Sequence, residues 1–177
     1  MRYVVFVLLG VLSTILSGTV FSTSFDLAGL GIQVDIVLLI VLALVLVEKS
    51  ITPIIFAAAA GLLMDMMFST TLGMYALSYT IAAAVASIAA HSMEKFNSLH
   101  IFIVGAGGYM IKELVMALIV FAQGARQFDL GAIFLRDMLP SAAFSGALLL
   151  LVYLLVSLLY RNTWMRPRMS SHFLDEL

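Results

Sequence analysis

The sequence predicts an all-α fold, a polytopic integral membrane bundle of six transmembrane helices with both termini in the cytoplasm. Three observations predict it. Of 177 residues, 63% are apolar and 11% charged, with a mean hydropathy of +1.15. An ordinary soluble domain is roughly 45–50% apolar and about 25% charged, so this chain has too little polar surface for water. The apolar residues gather into six runs, and a spanning helix needs about 20 residues each. Basic residues at the run ends favour one side. With the N-terminus inside, Arg2, Lys49, Lys95, Arg161, Arg166 and Arg168 are cytoplasmic, and only Arg126 and Arg136 lie outside. Composition excludes a soluble enzyme, a nucleic-acid binder and a disordered regulator. A β-barrel is excluded because its ~10-residue strands alternate polar and apolar residues. The net charge of −1 implies no pull on nucleic acid, and the absence of cysteine removes disulfides, thiolate metal sites and catalytic thiols.

The whole chain, 1–177, reads as a single transmembrane domain. The first run, residues 3–21, passes into Ser22-Thr23-Ser24 without a small-residue cleavage pattern and reads as a retained span. The second, 30–47, ends at Glu48-Lys49. The third, 51–68, has Pro53 in its first turn, where a missing N–H leaves nothing unsatisfied. Ser69-Thr70-Thr71 then leads into the fourth, 72–90, as a tight antiparallel hairpin. The fifth covers 99–122. The sixth, 133–160, contains Pro140, a residue that kinks a helix interior. Residues 161–177 form a short basic cytoplasmic tail, where Trp164 stands among Arg161, Arg166 and Arg168 as an interfacial anchor.

Small residues mark where helices pack. Ala82, Ala86 and Ala90 recur every fourth position, Gly105 to Gly108 thin the fifth span, and Ala57 to Gly61 thin the third. Such residues let backbones approach closely where lipid supplies no hydrophobic drive between helices. Packing within the chain is the simpler reading, and docking of a partner helix the sharper one. The methionines, Met64, Met66, Met67 and Met74 among them, read as adaptable packing. His91, His100 and His172 fall in loops or at span ends, so no metal site is expected. No histidine–carboxylate–nucleophile grouping or phosphate loop is present, so neither catalysis nor a cofactor is expected.

Six charges lie within or at the edge of the spans: Asp35, Asp65, Lys112, Glu113, Arg136 and Asp137. Counted along the spans, all fall between the midplane and the outer surface, with Lys112 and Glu113 near the midplane. A charge at membrane depth costs about 2.5–3.5 kcal/mol even on the lenient scale, and it normally faces a bundle interior, a partner or a wet cavity. Lys112 and Glu113 are adjacent and point about 100° apart, so they cannot be each other's facing partner. Asp65–Lys112 is the preferred pair, with Arg136 meeting Asp35 or Asp137. Three readings compete: a structural network that sets helix register, a docking surface for another membrane protein, and a substrate or ion cavity. Tyr75, Tyr79 and Tyr109 suit any of them.

Asp35 opens the second span, and Gly61 and Asp65 on the third lead through a short turn to Leu72, Gly73, Ala76, Leu77 and Tyr79 on the fourth; this segment, Asp35 to Tyr79, resembles the bacterial rod shape-determining MreD family. Gly61-Leu62-Leu63-Met64-Asp65 is followed by a short turn and by Leu72-Gly73-Met74-Tyr75-Ala76-Leu77-Ser78-Tyr79. Gly61, Asp65, Leu72, Gly73, Ala76, Leu77 and Tyr79 match the family pattern, whereas Val34 stands where the family often has proline. Gly61 and Asp65 lie one turn apart on one face, so the glycine opens space beside the carboxylate. The resemblance implies a non-enzymatic scaffold of the cell-elongation machinery in the bacterial cytoplasmic (inner) membrane. Such a scaffold would bind the single-span protein MreC and link the MreB cytoskeleton to peptidoglycan synthesis by the RodA–transpeptidase pair. It also implies a fold similar to the S-components of energy-coupling-factor transporters, whose substrate-binding role in vitamin uptake is the alternative reading.

Overall fold

The computed structural model describes residues 14, 25–27, 30–48, 50–69, 72–92, 97–124 and 138–161. Among the described residues, two short strands, β1 (Phe25–Leu27) and β2 (Leu30–Ile32), are followed by five helices. These are α1 (Ile36–Val47), α2 (Thr52–Phe68), α3 (Met74–His91), α4 (Ser98–Ala122) and α5 (Leu139–Arg161). The strands pair antiparallel, with Phe25 opposite Ile32 and Leu27 opposite Leu30. Of the first predicted span, 3–21, only Thr14 is described, and it is helical and buried. The start of the sixth span, 133–137, and the basic tail with Trp164, Arg166 and Arg168 lie outside the described residues. Arg161 closes α5, and its side chain is outside them too.

The second predicted span is shorter than its apolar run. Residues 30–32 are a strand and the helix begins only at Ile36. The reason is Asp35, whose backbone is extended and whose carboxylate accepts the Leu38 N–H at 3.1 Å as an N-cap. A short acidic side chain before an apolar run stabilises a helix start at that point, in competition with helix continuing through it. The fourth span likewise starts at Met74, because Gly73 takes a left-handed φ of 101° and Leu72 belongs to the turn.

Helix α1 occupies the centre. It packs against α2, α3, α4 and α5, and nine of its twelve residues are buried. Twelve residues rise about 18 Å, well short of the ~30 Å hydrocarbon core. An aliphatic helix that is apolar all round belongs inside a bundle. The outer helices pack in sequence, α2 on α3, α3 on α4 and α4 on α5. Among the described residues, three helical stretches are long and apolar enough to cross a membrane: Met74–His91, Ser98–Ala122 and Leu139–Leu158. Their outward positions carry exposed large apolar side chains, including Ile88, Leu114, Leu118, Phe121, Leu151 and Leu155. This is the surface of an integral membrane protein.

The small residues serve packing within the chain. Ala57, Ala60, Ala82, Ala83, Ala86 and Ala90 are all buried. A Cβ on Gly61 would lie 2.4 Å from the Cα of Ala76, so α2 touches the first turn of α3 backbone to backbone. A Cβ on Gly105 would lie 2.9 Å from the Cα of Gly146, which brings α4 equally close to α5. Gly107, by contrast, faces open space.

We therefore expect Gly61→Ala to lower the thermal stability of the detergent-purified protein. Backbone atoms cannot swing aside as a flexible side chain does, so the loss is about 1–3 kcal/mol, the range for overpacking. Gly107→Ala is the control. It meets no neighbour and should leave the melting temperature unchanged or slightly raised, because alanine is the better helix former.

Candidate functional site

Two polar groupings occupy the same end of the bundle, where α1 and α3 begin and α2 ends. The first is built on Asp65, which is fully buried. Its Oδ2 accepts the N–H groups of Gly73 and Ala76, each at 3.0 Å, and its Oδ1 accepts the N–H of Tyr75 at 2.9 Å. The first N–H groups of a helix have no partner within it. Gly73, at the N-cap of α3, has no side chain to offer one. Asp65 therefore caps α3 from the neighbouring helix, and its negative charge meets the positive end of the helix dipole. Gly61, one turn earlier on α2, allows the close approach this requires.

The second grouping joins α1, α3 and α4. Asp35 accepts the Tyr79 hydroxyl at 2.5 Å on Oδ2, while its Oδ1 caps α1. The Lys112 ammonium stands 3.5 Å from Asp35 Oδ2 and donates to Glu113 Oε1 at 2.7 Å. The same ammonium lies 5.2 Å from the centre of the Tyr109 ring and 6.0 Å from that of Tyr75, within cation–π range. Tyr75 and Tyr79, one turn apart on α3, meet edge to face at 5.8 Å. Asp35, Tyr79 and Lys112 are buried. Beside them, Ser141 Oγ accepts the Gln33 N–H at 3.1 Å, tying α5 to the segment that leads into α1. One ammonium thus serves two carboxylates, and most of the polar atoms find partners inside the chain.

This arrangement corrects the expected pairing. Lys112 meets Asp35 and Glu113, not Asp65, whose oxygens are occupied by backbone N–H groups. Adjacent helical residues diverge at Cβ, but the long lysine and glutamate side chains fold back to meet beyond it. The Lys112 ammonium reaches the start of α1 and the first turn of α3.

Of the six predicted intramembrane charges, Asp35, Lys112 and Glu113 come together and Asp65 stands in its own capping site. Arg136 and Asp137 lie outside the described residues. Among the matched motif residues, Gly61, Asp65, Gly73 and Ala76 build the α2–α3 junction and Tyr79 the Asp35 cluster. Leu72 and Leu77 are exposed, at 77% and 51%. Ser141 escaped the sequence reading, since a serine near the start of a span carries no charge to single it out. His100 Nδ1 accepts the Asn97 N–H in a capping box at the start of α4, and His91 bonds the Ser87 carbonyl.

Among known proteins, the family model described as rod shape-determining protein MreD matches residues 1–163. No curated protein and no solved structure matches the chain.

Two double-mutant cycles, read by thermal unfolding in detergent, separate the observed pairing from the expected one. Asp35→Asn with Lys112→Met should show a coupling above about 0.5 kcal/mol, and Asp65→Asn with Lys112→Met should be additive within that margin. Asp65→Ala should destabilise strongly, because each unsatisfied buried N–H costs about 1–3 kcal/mol. Asp65→Asn, which keeps one acceptor oxygen, should cost less.

Proposed function

The chain belongs to the MreD family of rod shape-determining proteins, and from that premise we propose that it is a non-enzymatic scaffold of the bacterial cell-elongation machinery. In this reading it sits in the cytoplasmic (inner) membrane as six spans with both termini inside. It binds MreC and links the MreB cytoskeleton to the RodA–transpeptidase pair that synthesises peptidoglycan. The family match over 1–163 carries the reading. Two features support it. The predicted loops are short, leaving the helices and their ends as the surface on which partners can be held. The buried charges are also largely paired with one another and with backbone groups, as befits a rigid holder.

Depletion followed by microscopy is the test. Loss of the protein should give rounded, widened cells whose shape no added nutrient restores, and tagged protein should co-purify with MreC. Rescue of the depleted cells by a vitamin, or a native mass spectrum with a stoichiometric small molecule bound, would replace this reading with that of a transporter S-component.

A further inference from the structure

We propose that the tip of the α2–α3 hairpin ends among the acyl chains of one leaflet, about 10 Å short of the membrane surface that α4 reaches, so that lipid tails and not water are its partner. In the orientation proposed above this is the outer leaflet, and the inference rests on that reading for α4 as a full span. Three observations point to it.

The first is how far α4 runs past its neighbours. The Lys112 ammonium stands beside Asp35 at the start of α1 and 6.0 Å from the Tyr75 ring in the first turn of α3. A Cβ on Gly108 would meet the side chain of Leu42, seven residues after Asp35. One on Gly105 would meet the Cα of Gly146, seven residues after Leu139. Counted back along these antiparallel helices, Asp35 and Leu139 fall level with residues 112–115 of α4, so about 10–15 Å of α4 continues beyond them. Tyr75 stands by the same ammonium, which places the hairpin tip at that level to within a turn. The continuing stretch, Leu114 to Ala122, carries no polar side chain, and Leu114, Leu118 and Phe121 are exposed on it. It belongs in hydrocarbon, which sets the membrane surface near Gln123. Lengths agree. The 17 residues of α2 and 18 of α3 rise about 26–27 Å, below the ~30 Å hydrocarbon core, whereas the 25 of α4 rise about 38 Å.

The second is the tip itself. Met66 and Leu72 are 73% and 77% exposed, and Met67 and Phe68 are exposed beside them. From Ser50 to Met93 the only acidic or basic side chains are those of Asp65 and His91, and Asp65 is fully buried. The tip therefore offers a headgroup layer no charge to hold it there. The third is the backbone. At a surface loop, water satisfies the first N–H groups of a helix. Inside hydrocarbon, backbone outside a helix is tolerated only where the protein supplies the partners. Asp65 supplies them here, accepting the N–H groups of Gly73, Tyr75 and Ala76 on its two oxygens. The carboxylate does at this turn what water does at an exposed one.

The chain has no cysteine, so single cysteines can be introduced for spin labelling without removing any. Met66→Cys and Leu72→Cys report on the tip, and Gln123→Cys on the end of α4. Each full-length variant is labelled with a nitroxide in dioleoylphosphatidylcholine vesicles. Collision with oxygen and with a water-soluble nickel chelate then gives the depth of the label. Both tip labels should meet oxygen freely and the chelate rarely, and should lie at least one helical turn, about 5 Å, deeper than the Gln123 label. A smaller difference at either position would overturn the inference by placing the tip at the surface. Protection from both reagents would overturn it too, since protein and not lipid would then cover the tip. In intact cells, a charged maleimide that does not cross membranes should label Gln123→Cys at least tenfold faster than Leu72→Cys, and equal rates would count against the inference. Labelling of Gln123→Cys only after permeabilisation would reverse the proposed orientation, while the depth difference, which is independent of side, would still decide the position of the tip. Rod shape and MreC co-purification test the scaffold reading separately.

Discussion

The carboxylate of Asp65 holds the first turn of α3, and much of the bundle depends on that contact. In an apolar medium no water can satisfy the first N–H groups of a helix, so each one left without a partner is a substantial loss. Gly73 bends the chain through a left-handed turn but brings no capping atom. The acceptor has to come from elsewhere, and α2 delivers it one turn after Gly61. The glycine, the aspartate and the turn act together. Without the backbone contact at Gly61, α3 would stand too far away for Asp65 to reach three of its N–H groups. With the hairpin locked, Tyr75 and Tyr79 project from α3 toward α1 and α4.

That projection sets up the second polar grouping. Tyr79 donates to Asp35, which already caps α1, and Asp35 in turn stands beside Lys112. A capping residue, a hydroxyl and an ammonium from three helices thus meet at the end where α1 and α3 start, with Ser141 joining α5 through Gln33. Each group lowers the cost of burying the others, because a buried charge is tolerable only when paired and hydrogen-bonded. Shifting α1 or α3 by one residue would turn Asp35 or Tyr79 by about 100° and break the set. The cluster is therefore suited to holding helix register. The apolar remainder of the bundle, built from Val, Leu, Ile and Ala, is far less particular about register.

Much of this was legible in the residues. Pro53 at a helix start, the small-residue faces of α3 and α4, and the gathering of Asp35, Lys112 and Glu113 can be read directly from spacing. The identity of the pairs cannot. Spacing offers Asp65 as a partner for Lys112 only because both fall in the outer half of the predicted spans. Backbone N–H groups, moreover, leave no mark in a sequence, so the strongest competitor for the Asp65 carboxylate was invisible there.

Composition and periodicity were sufficient to establish a helical membrane protein, its small-residue packing faces, and the residues at which charge enters the apolar region. They suffice because transfer free energies and helix geometry are properties of each residue and its near neighbours. Which carboxylate caps a helix, which receives the ammonium, and that residues 30–32 form a strand before α1 were decided only in three dimensions. Those outcomes depend on distances between segments far apart in the chain, where a tenth of the separation between two helices decides whether a hydrogen bond exists.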